Sequence, residues 1–332
     1  MNEARFLIIG AAHWHAPWHL RALEAAGARV VAIVDRAPAA RSALGAGRAV
    51  REYGDVDEAL TRHPEAIPIV LTPPRETPAV LERIVEGGTP FVLEKPGTVD
   101  AGALAAIVEA VAARRIATAV PFVNRYADFW AELRALGSIK DDWTHAHFRI
   151  LAGPPGRYVR DGVPWVLSRR DYGGGALRNL GIHAADAVSQ LTGSAEVSVR
   201  SARTSNRLHG LEVEDFAIAV LETTDARTIT IEAGYAMPAE NAADKEWRVH
   251  GPGWAVSESN GTVTIRDDQG PRSYAGAPSS EQYLAFGRTL ADFAVTGRSV
   301  AGDVHDLLLA QRIVDQIYAA SPRSMVPSSR EM

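Results

Sequence analysis

The chain has 332 residues, 46% hydrophobic and 23% charged, an ordinary balance that excludes disorder and fibrous repeats and leaves room for two cores. A formal net charge of −5, with no Lys/Arg cluster interleaved with aromatics, excludes nucleic acid as a partner. The lack of any cysteine removes disulfides, thiolate nucleophiles and Cys-bound metal, so the chemistry rests on other groups.

The first third alternates short apolar strands with amphipathic helices. Phe6 to Ile9 reads as a strand, and Met1 to Arg5 before it lack the basic segment, apolar run and cleavage site of a signal peptide. A helix near Pro17 to Ala26 ends at Gly27. Val30 to Val34 is a second strand, rich in β-branched residues as a strand buried on both faces should be. Asp57 to Arg62 is a short helix, Ala66 to Leu71 a third strand, Pro78 to Glu86 a helix stopped by Gly87 and Gly88, and Phe91 to Leu93 a fourth strand. Ala101 to Arg114 is a long helix and Ala117 to Val120 the fifth strand. Such alternation predicts a parallel sheet covered by helices on both faces.

After Pro121 the rhythm changes. A helix near Phe129 to Leu136 is followed by segments of period two at Thr144 to Ile150, Glu196 to Ser201, Asp215 to Glu222, Arg227 to Ala233 and Glu246 to His250, which predict a largely antiparallel sheet. Helical stretches lie at Ala176 to Thr192, Gln282 to Val295 and Val304 to Ala319, and the Ser/Pro-rich tail from Pro322 to Met332 is expected to fray. The fold class read from this is α/β: a Rossmann-like parallel-sheet domain over residues 1–122, then an α+β domain with an open antiparallel sheet over 123–332. No apolar run is long enough to span a bilayer, so no membrane partner and a cytoplasmic location are expected.

Chemistry is expected where strands end. In Ile8-Ile9-Gly10-Ala11-Ala12-His13-Trp14-His15 a strand meets a tight turn at which a dinucleotide fingerprint places three glycines. Only Gly10 is kept; Ala12 is small enough for a close backbone approach to pyrophosphate, while His15 occupies the third position. From this segment alone a ligand-free turn is as good a reading. Asp35 ends the second strand, placed to reach the adenosine ribose hydroxyls and to repel a 2′-phosphate, which favours NAD. Arg36 and Arg41 close by could reverse that preference toward NADP. Histidines 13, 15 and 19 invite a metal reading, but no carboxylate lies close in sequence and the segment coincides with the turn, so no metal is expected. Phe91-Val92-Leu93-Glu94-Lys95-Pro96 sets a charged pair at the carboxyl edge of the sheet, with Pro96 restricting Lys95 to an extended backbone.

These elements, with Thr72-Pro73-Pro74 after the third strand, Asn124-Arg125 after the fifth, and Gly173-Gly174-Gly175 leading into Gly181-Ile182-His183 and Asp186, resemble the glucose-fructose oxidoreductase / inositol dehydrogenase / MocA family over the full chain. The resemblance implies a nicotinamide enzyme in which Lys95 contacts a substrate hydroxyl and helps move its proton, Glu94 lies near the nicotinamide ribose, and Thr72, Pro73, Pro74 and Asn124 line the cofactor path beside Gly10, Ala12, His13, Trp14, His15, Asp35 and Arg36. It places His183 facing the nicotinamide and implies dimer or tetramer formation through the C-terminal sheet. Trp165, Arg169, Arg170 and Tyr172, ahead of the glycine run, are candidates for a polyol-binding rim with Asn179 and His183, although solvated arginines and a packed tryptophan explain them nearly as well.

One departure stands out: Asn179 occupies the position of an aspartate that the family carries four residues before the histidine. On a regular helix these two side chains share a face, so the expectation is that the Asn179 amide orients a neutral His183 while Lys95 carries the proton. The substrate class implied is a sugar, sugar derivative or cyclitol, oxidised or reduced at a secondary alcohol or ketone. Two alternatives stay open: a cofactor-binding sensor without turnover, motivated by Asn179 and the missing glycines, and redox-assisted glycoside cleavage.

Overall fold

The computed structural model describes residues 4–194, 196–298 and 302–322. Six parallel strands form the first sheet: β1 (Arg5–Ile9), β2 (Arg29–Val34), β3 (Arg51–Tyr53), β4 (Ile67–Val70), β5 (Phe91–Leu93) and β6 (Thr118–Ala119), in the order β3-β2-β1-β4-β5-β6. The sequence predicts five of these. The sixth, β3, is an Arg-Glu-Tyr edge strand with no fully buried residue, so it carries no apolar run to reveal it. Strand order reverses direction between β1 and β4, which opens a crevice at their carboxyl ends.

Helices cover both faces, beginning with α1 (Ala16–Ala25), α2 (Pro38–Gly45), α3 (Val56–Arg62), α4 (Thr77–Glu86) and α5 (Ala101–Arg114). Asp55 and Asp100 cap α3 and α5 by accepting backbone N–H groups from Glu58 and Ala103.

The second sheet has eight strands: β7 (His145–Ala152), β8 (Val197–Ser205), β9 (Phe216–Thr223), β10 (Thr228–Gly234), β11 (Ala243–Gly251), β12 (Trp254–Ser259), β13 (Thr262–Arg266) and β14 (Arg272–Ala275). Their order is β14-β13-β12-β11-β7-β10-β9-β8, antiparallel except for the β7–β10 pair. In the middle of the sheet the register alternates burial. Ala146, Phe148, Ile229, Ile231, Ala219, Leu221, Trp247 and Val249 point inward, while His147, Arg149, Thr230, Glu232, Ile218 and Arg248 share the outer face.

Short helices α6 (Asp128–Ala135), α7 (Gly156–Arg160) and α8 (Arg169–Tyr172) precede α9 (Ile182–Thr192), which packs on β7 and β10. Two long helices close the chain. α10 (Ser279–Thr296) returns to lie along α1, with Gly287 against the Ala22 backbone, and α11 (Val304–Ala320) packs on α9 and α5. Tyr283, Phe286, Leu290 and Phe293 of α10 thereby join Phe6, Ile8, Leu20 and Leu23 in one core. No helix among the described residues is long and apolar enough to cross a membrane. Of the tail expected to fray, residues 323–332 lie outside the described residues.

Candidate active site

At the crevice, Gly10 adopts φ +101°, and a Cβ there would lie 2.6 Å from the Leu71 carbonyl oxygen, so only glycine lets β1 and the loop after β4 meet this closely. The turn opens onto a cleft of about 540 Å³, lined by Gly10, Ala12, His13, Asp35, Thr72 and Pro73, with Arg36 and Trp165 at its edge. Asp35 takes the Ala12 N–H on one carboxylate oxygen at 2.9 Å and the Ala37 N–H on the other at 2.8 Å, which ties the turn to the end of β2 and leaves each oxygen a free lone pair. Arg41 spends its guanidinium on the Asp35 carbonyl and Glu52, whereas the exposed Arg36 pairs with Glu76 at 3.3 Å. A bare backbone turn, a carboxylate at the far strand and a cleft of small-molecule size fit a dinucleotide.

Lys95 lies at the carboxyl end of β5, 3% exposed, across a cis peptide bond from Pro96. Its Nζ donates at 3.1 Å both to the side-chain oxygen and to the carbonyl oxygen of Asn179. Burial pulls the ammonium down from its ordinary 10.5 to about 8, the Glu94 charge opposing this and Arg157 adding to it. Gln311 of α11 holds the turn beyond it through the carbonyls of Pro96 and Thr98.

Asn179 is the centre of this arrangement. Its Nδ2 donates to Tyr158 Oη at 2.7 Å and Tyr235 Oη at 3.1 Å, and its Oδ1 accepts from Tyr172 Oη at 3.0 Å as well as from Lys95. All four polar valences of the amide are met, so its orientation is determined. Burial holds Tyr172 and Tyr235 well above the ordinary phenol value, as neutral hydroxyls.

The expected Asn179–His183 contact is not formed. Residues Leu177–Gly181 make one wide π-turn before α9 begins, and the extra residue in that turn breaks the four-residue face alignment of a regular helix. Glu214 starts this turn by accepting the backbone N–H groups of Gly175 and Leu177, with Tyr318 donating to the same carboxylate at 2.7 Å. Gly173, Gly174 and Gly175 abut Val99, Tyr318 and Glu214 with no room for side chains, which accounts for the glycine run. Arg178 turns away to Asp315. His183 is partly exposed, its Nδ1 unpartnered and its ring 6.4 Å from that of Phe122. Burial, then Lys95, holds it well below 6.5, so it is neutral.

Other sequence candidates fall into place unevenly. His13 and Trp14 stack at 3.9 Å between centroids, Trp165 lies 5.7 Å from each, and Trp14 sits 6.0 Å from Lys95 Nζ, so an aromatic wall stands over the lysine. Tyr172 reaches the site from the far side of that wall. Glu94 does not open into the cleft; His15 and His19 occupy its two oxygens. Pro74 is buried behind the lining, and Arg169 is exposed and bonded to the Glu212 carbonyl, away from Lys95. Asn124 accepts from Lys245 Nζ at 3.1 Å. Arg125 and Asp186 of the motifs form a mostly buried ion pair, joined by Asp306 at 3.1 Å. Sequence reasoning missed Tyr158, Tyr235, Glu214 and Lys245, each brought in from a segment without a local motif. Among the described residues no group of three or more His, Asp or Glu side chains is arranged to hold a metal.

No curated protein sequence matches this chain. Solved structures do match in fold. An oxidoreductase from Agrobacterium radiobacter, solved with NAD+, L-tartaric acid and magnesium, is 19% identical, with TM-score 0.83 over 96% of each chain. An aldose-aldose oxidoreductase from Caulobacter crescentus complexed with glycerol is 21% identical, with TM-score 0.81 over 96% of this chain and 97% of that one. A 3-ketoreductase from Actinomadura kijaniata, with NADP and TDP-benzene, is 17% identical, with TM-score 0.82 over 98% of this chain and all (100%) of that one. Residues 4–121 match the oxidoreductase family with NAD-binding Rossmann fold, and residues 135–253 the C-terminal domain of the same GFO/IDH/MocA group. Cleft, parallel sheet and both family matches agree, and the chain belongs to the GFO/IDH/MocA family of NAD(P)-dependent oxidoreductases.

Proposed function

We propose that this enzyme transfers a hydride between nicotinamide and a secondary alcohol or ketone of a sugar, sugar derivative or cyclitol. The observation that carries the reading is the buried Lys95, aimed by Asn179, brought to about 8 and set 6.0 Å from Trp14, whose stacking partner His13 and neighbour Trp165 line a cleft suited to a dinucleotide. Gly10 and Ala12 would face the pyrophosphate, Asp35 the adenosine ribose, and His13, Thr72 and Pro73 the cleft walls. When bound, the nicotinamide supplies the hydride acceptor or donor.

The chain's own residues handle the proton. Lys95 Nζ takes it from the substrate hydroxyl during oxidation and returns it during reduction, a role matched to a group near neutrality. Neutral His183 orients the hydroxyl through its Nε2. Asn179 keeps Lys95 in place without adding a charge that would hold its proton on. Trp14 and Trp165 form an apolar wall suited to the C–H face of a sugar ring. The polyol and keto-sugar preference is further supported by the names of the aldose-aldose oxidoreductase and the 3-ketoreductase it resembles in fold. Domains meeting near residue 122, a cytoplasmic setting and self-association through the outer face of the second sheet, where Ile218 is 39% exposed, belong to the same reading.

The test is a panel of sugars, sugar acids and cyclitols offered with NAD or NADP, read as the appearance of reduced nicotinamide. Net reduction with at least one polyol supports the proposal. Tight cofactor binding with no turnover on any member favours the sensor alternative, for which Asn179 in place of an acid speaks.

A further inference from the structure

Glu94 is enclosed by the first helix. His15, which precedes α1, and His19, one turn on, face the same side, and their rings close on the carboxylate from two directions: His15 Nδ1 at 3.2 Å from one oxygen and His19 Nε2 at 2.9 Å from the other. Burial pushes this carboxyl up, but the two imidazoles that donate to it outweigh burial and hold it well below the usual carboxylate range. An ionised carboxylate only accepts, so both rings must donate, which fixes each tautomer. His15 carries its proton on Nδ1 and His19 on Nε2.

The two rings then differ. His19 is 1% exposed and its Nδ1 is sealed in the core without a partner. The His15 side chain keeps 18% exposure, and among the described residues nothing pairs with its Nε2. That nitrogen is an acceptor, on a ring held by a carboxylate through its other nitrogen and left partly exposed. Its backbone is fixed too, since His15 N–H donates to His13 Nδ1 at 3.0 Å.

The position narrows what Nε2 meets. It follows directly on the Gly10–Ala12 turn, where a pyrophosphate belongs, and stands beside Glu94 and Lys95 at the reacting end rather than by Asp35. Phosphate oxygens only accept, so the next group along a dinucleotide able to donate is the hydroxyl pair of the nicotinamide ribose.

We propose that His15 Nε2 accepts a hydrogen bond from a nicotinamide-ribose hydroxyl, and that Glu94 is a positioning residue that fixes the imidazole tautomer. The inference rests on the reading that the cleft holds NAD(P). It gives the side chain at the third fingerprint position a function, where glycine would offer only space.

Two measurements test it. The first is the imidazole 15N NMR spectrum of the ligand-free protein, with the His15 signals identified by their loss in His15→Gln. Expected are a protonated Nδ1 and an unprotonated Nε2 whose resonance moves on adding NAD but not on adding AMP, which lacks nicotinamide and its ribose. In Glu94→Gln one oxygen cannot accept from both rings, so at least one tautomer must switch. The second is binding to His15→Ala: NAD should weaken roughly three- to tenfold, the range of one neutral hydrogen bond, while AMP is unchanged. The acetylpyridine analogue of NAD, which has no carboxamide N–H, should show the same loss. A protonated Nε2, equal losses for NAD and AMP, no loss at all, or a loss that disappears with the acetylpyridine analogue each overturns the proposal. Failure of the unsubstituted protein to bind either nicotinamide cofactor overturns the parent reading as well, which separates the two failures.

Discussion

Lys95 Nζ stands 3.1 Å from both the amide oxygen and the carbonyl oxygen of Asn179, a lysine held by two neutral acceptors on one residue. That relationship makes the ammonium easy to deprotonate, because neither partner is charged and burial disfavours the cation. Turnover in the oxidative direction should therefore rise as pH passes through about 8. Lys95→Ala is expected to bind cofactor normally yet lose ~10²–10⁴ in kcat, and His183→Ala to lose less. Steady-state kinetics with fluorescence titration of NAD checks this; a reversed order of the two variants would make His183 the base.

Asn179→Asp should act on the lysine and not on the histidine. A carboxylate in contact with Nζ favours the ammonium, so the Lys95 pKa moves up from about 8 and the ascending limb of oxidative kcat/KM moves to higher pH with it. The pH–rate profile reads the effect directly. A shift confined to His183, followed by NMR, would mean that the π-turn does not separate the two side chains in solution.

Lys95 also imposes a stability cost. It binds its proton at about 8 when folded against 10.5 when unfolded, so the folded state is penalised fully below pH 8 and the penalty vanishes as pH rises toward 10.5. The displacement corresponds to about 3 kcal/mol. Lys95→Met removes it and forfeits two hydrogen bonds of about 1 kcal/mol each, leaving a net gain of about 1 kcal/mol. Denaturant unfolding at pH 7 should show Lys95→Met to be more stable than the active protein, with the advantage gone by about pH 9 and reversed near pH 10.5, where only the lost hydrogen bonds remain.

Cofactor choice turns on Asp35. Its carboxylate lies between the turn and the end of β2, where a 2′-phosphate would meet a like charge, so NAD should bind more tightly than NADP. Asp35→Ser removes the repulsion and leaves Arg36 nearby, which should change the NADP-to-NAD preference by roughly tenfold or more in favour of NADP. Paired titrations of both cofactors settle it; a native preference for NADP would show that Arg36 prevails over the carboxylate.

The Arg125–Asp186 pair joins the loop after β6 to α9, with Asp306 of α11 on the same guanidinium. Arg125→Met strands a buried carboxylate and should cost about 3–5 kcal/mol, seen as a lower denaturation midpoint. A change below about 1 kcal/mol would mean that solvent reaches Asp186 once the arginine is gone.

What the sequence makes legible follows physical period. β1, β2 and β4 are apolar runs buried on both faces, and they stand out; β3, all but exposed at the sheet edge, does not, and neither do β12 to β14, where Gly253, Gly261 and Gly270 punctuate short hairpins. Lys95 and Asp35 are legible because strand ends place them at the crevice. The tyrosines around Asn179 come from residues 158, 172 and 235, and only tertiary packing brings these together. The Asn179–His183 expectation failed on one inserted residue of helical pitch, a local distortion that four-residue spacing cannot reveal. Glu94 illustrates the same limit: its place after β5 is plain, but its partners His15 and His19 lie far back along the chain.

The return of α10 onto α1 has a consequence for how the chain comes to be folded at all. Phe6, Ile8, Leu20 and Leu23 emerge from the ribosome long before Tyr283, Phe286, Leu290 and Phe293, which complete their core from far along the chain. Until then the nascent nucleotide-binding half carries a greasy, uncovered flank, the kind of surface that recruits chaperones or promotes association between neighbouring chains. A fragment stopped at residue 122 would carry that flank permanently, so it should precipitate unless a peptide corresponding to α10 is supplied in trans.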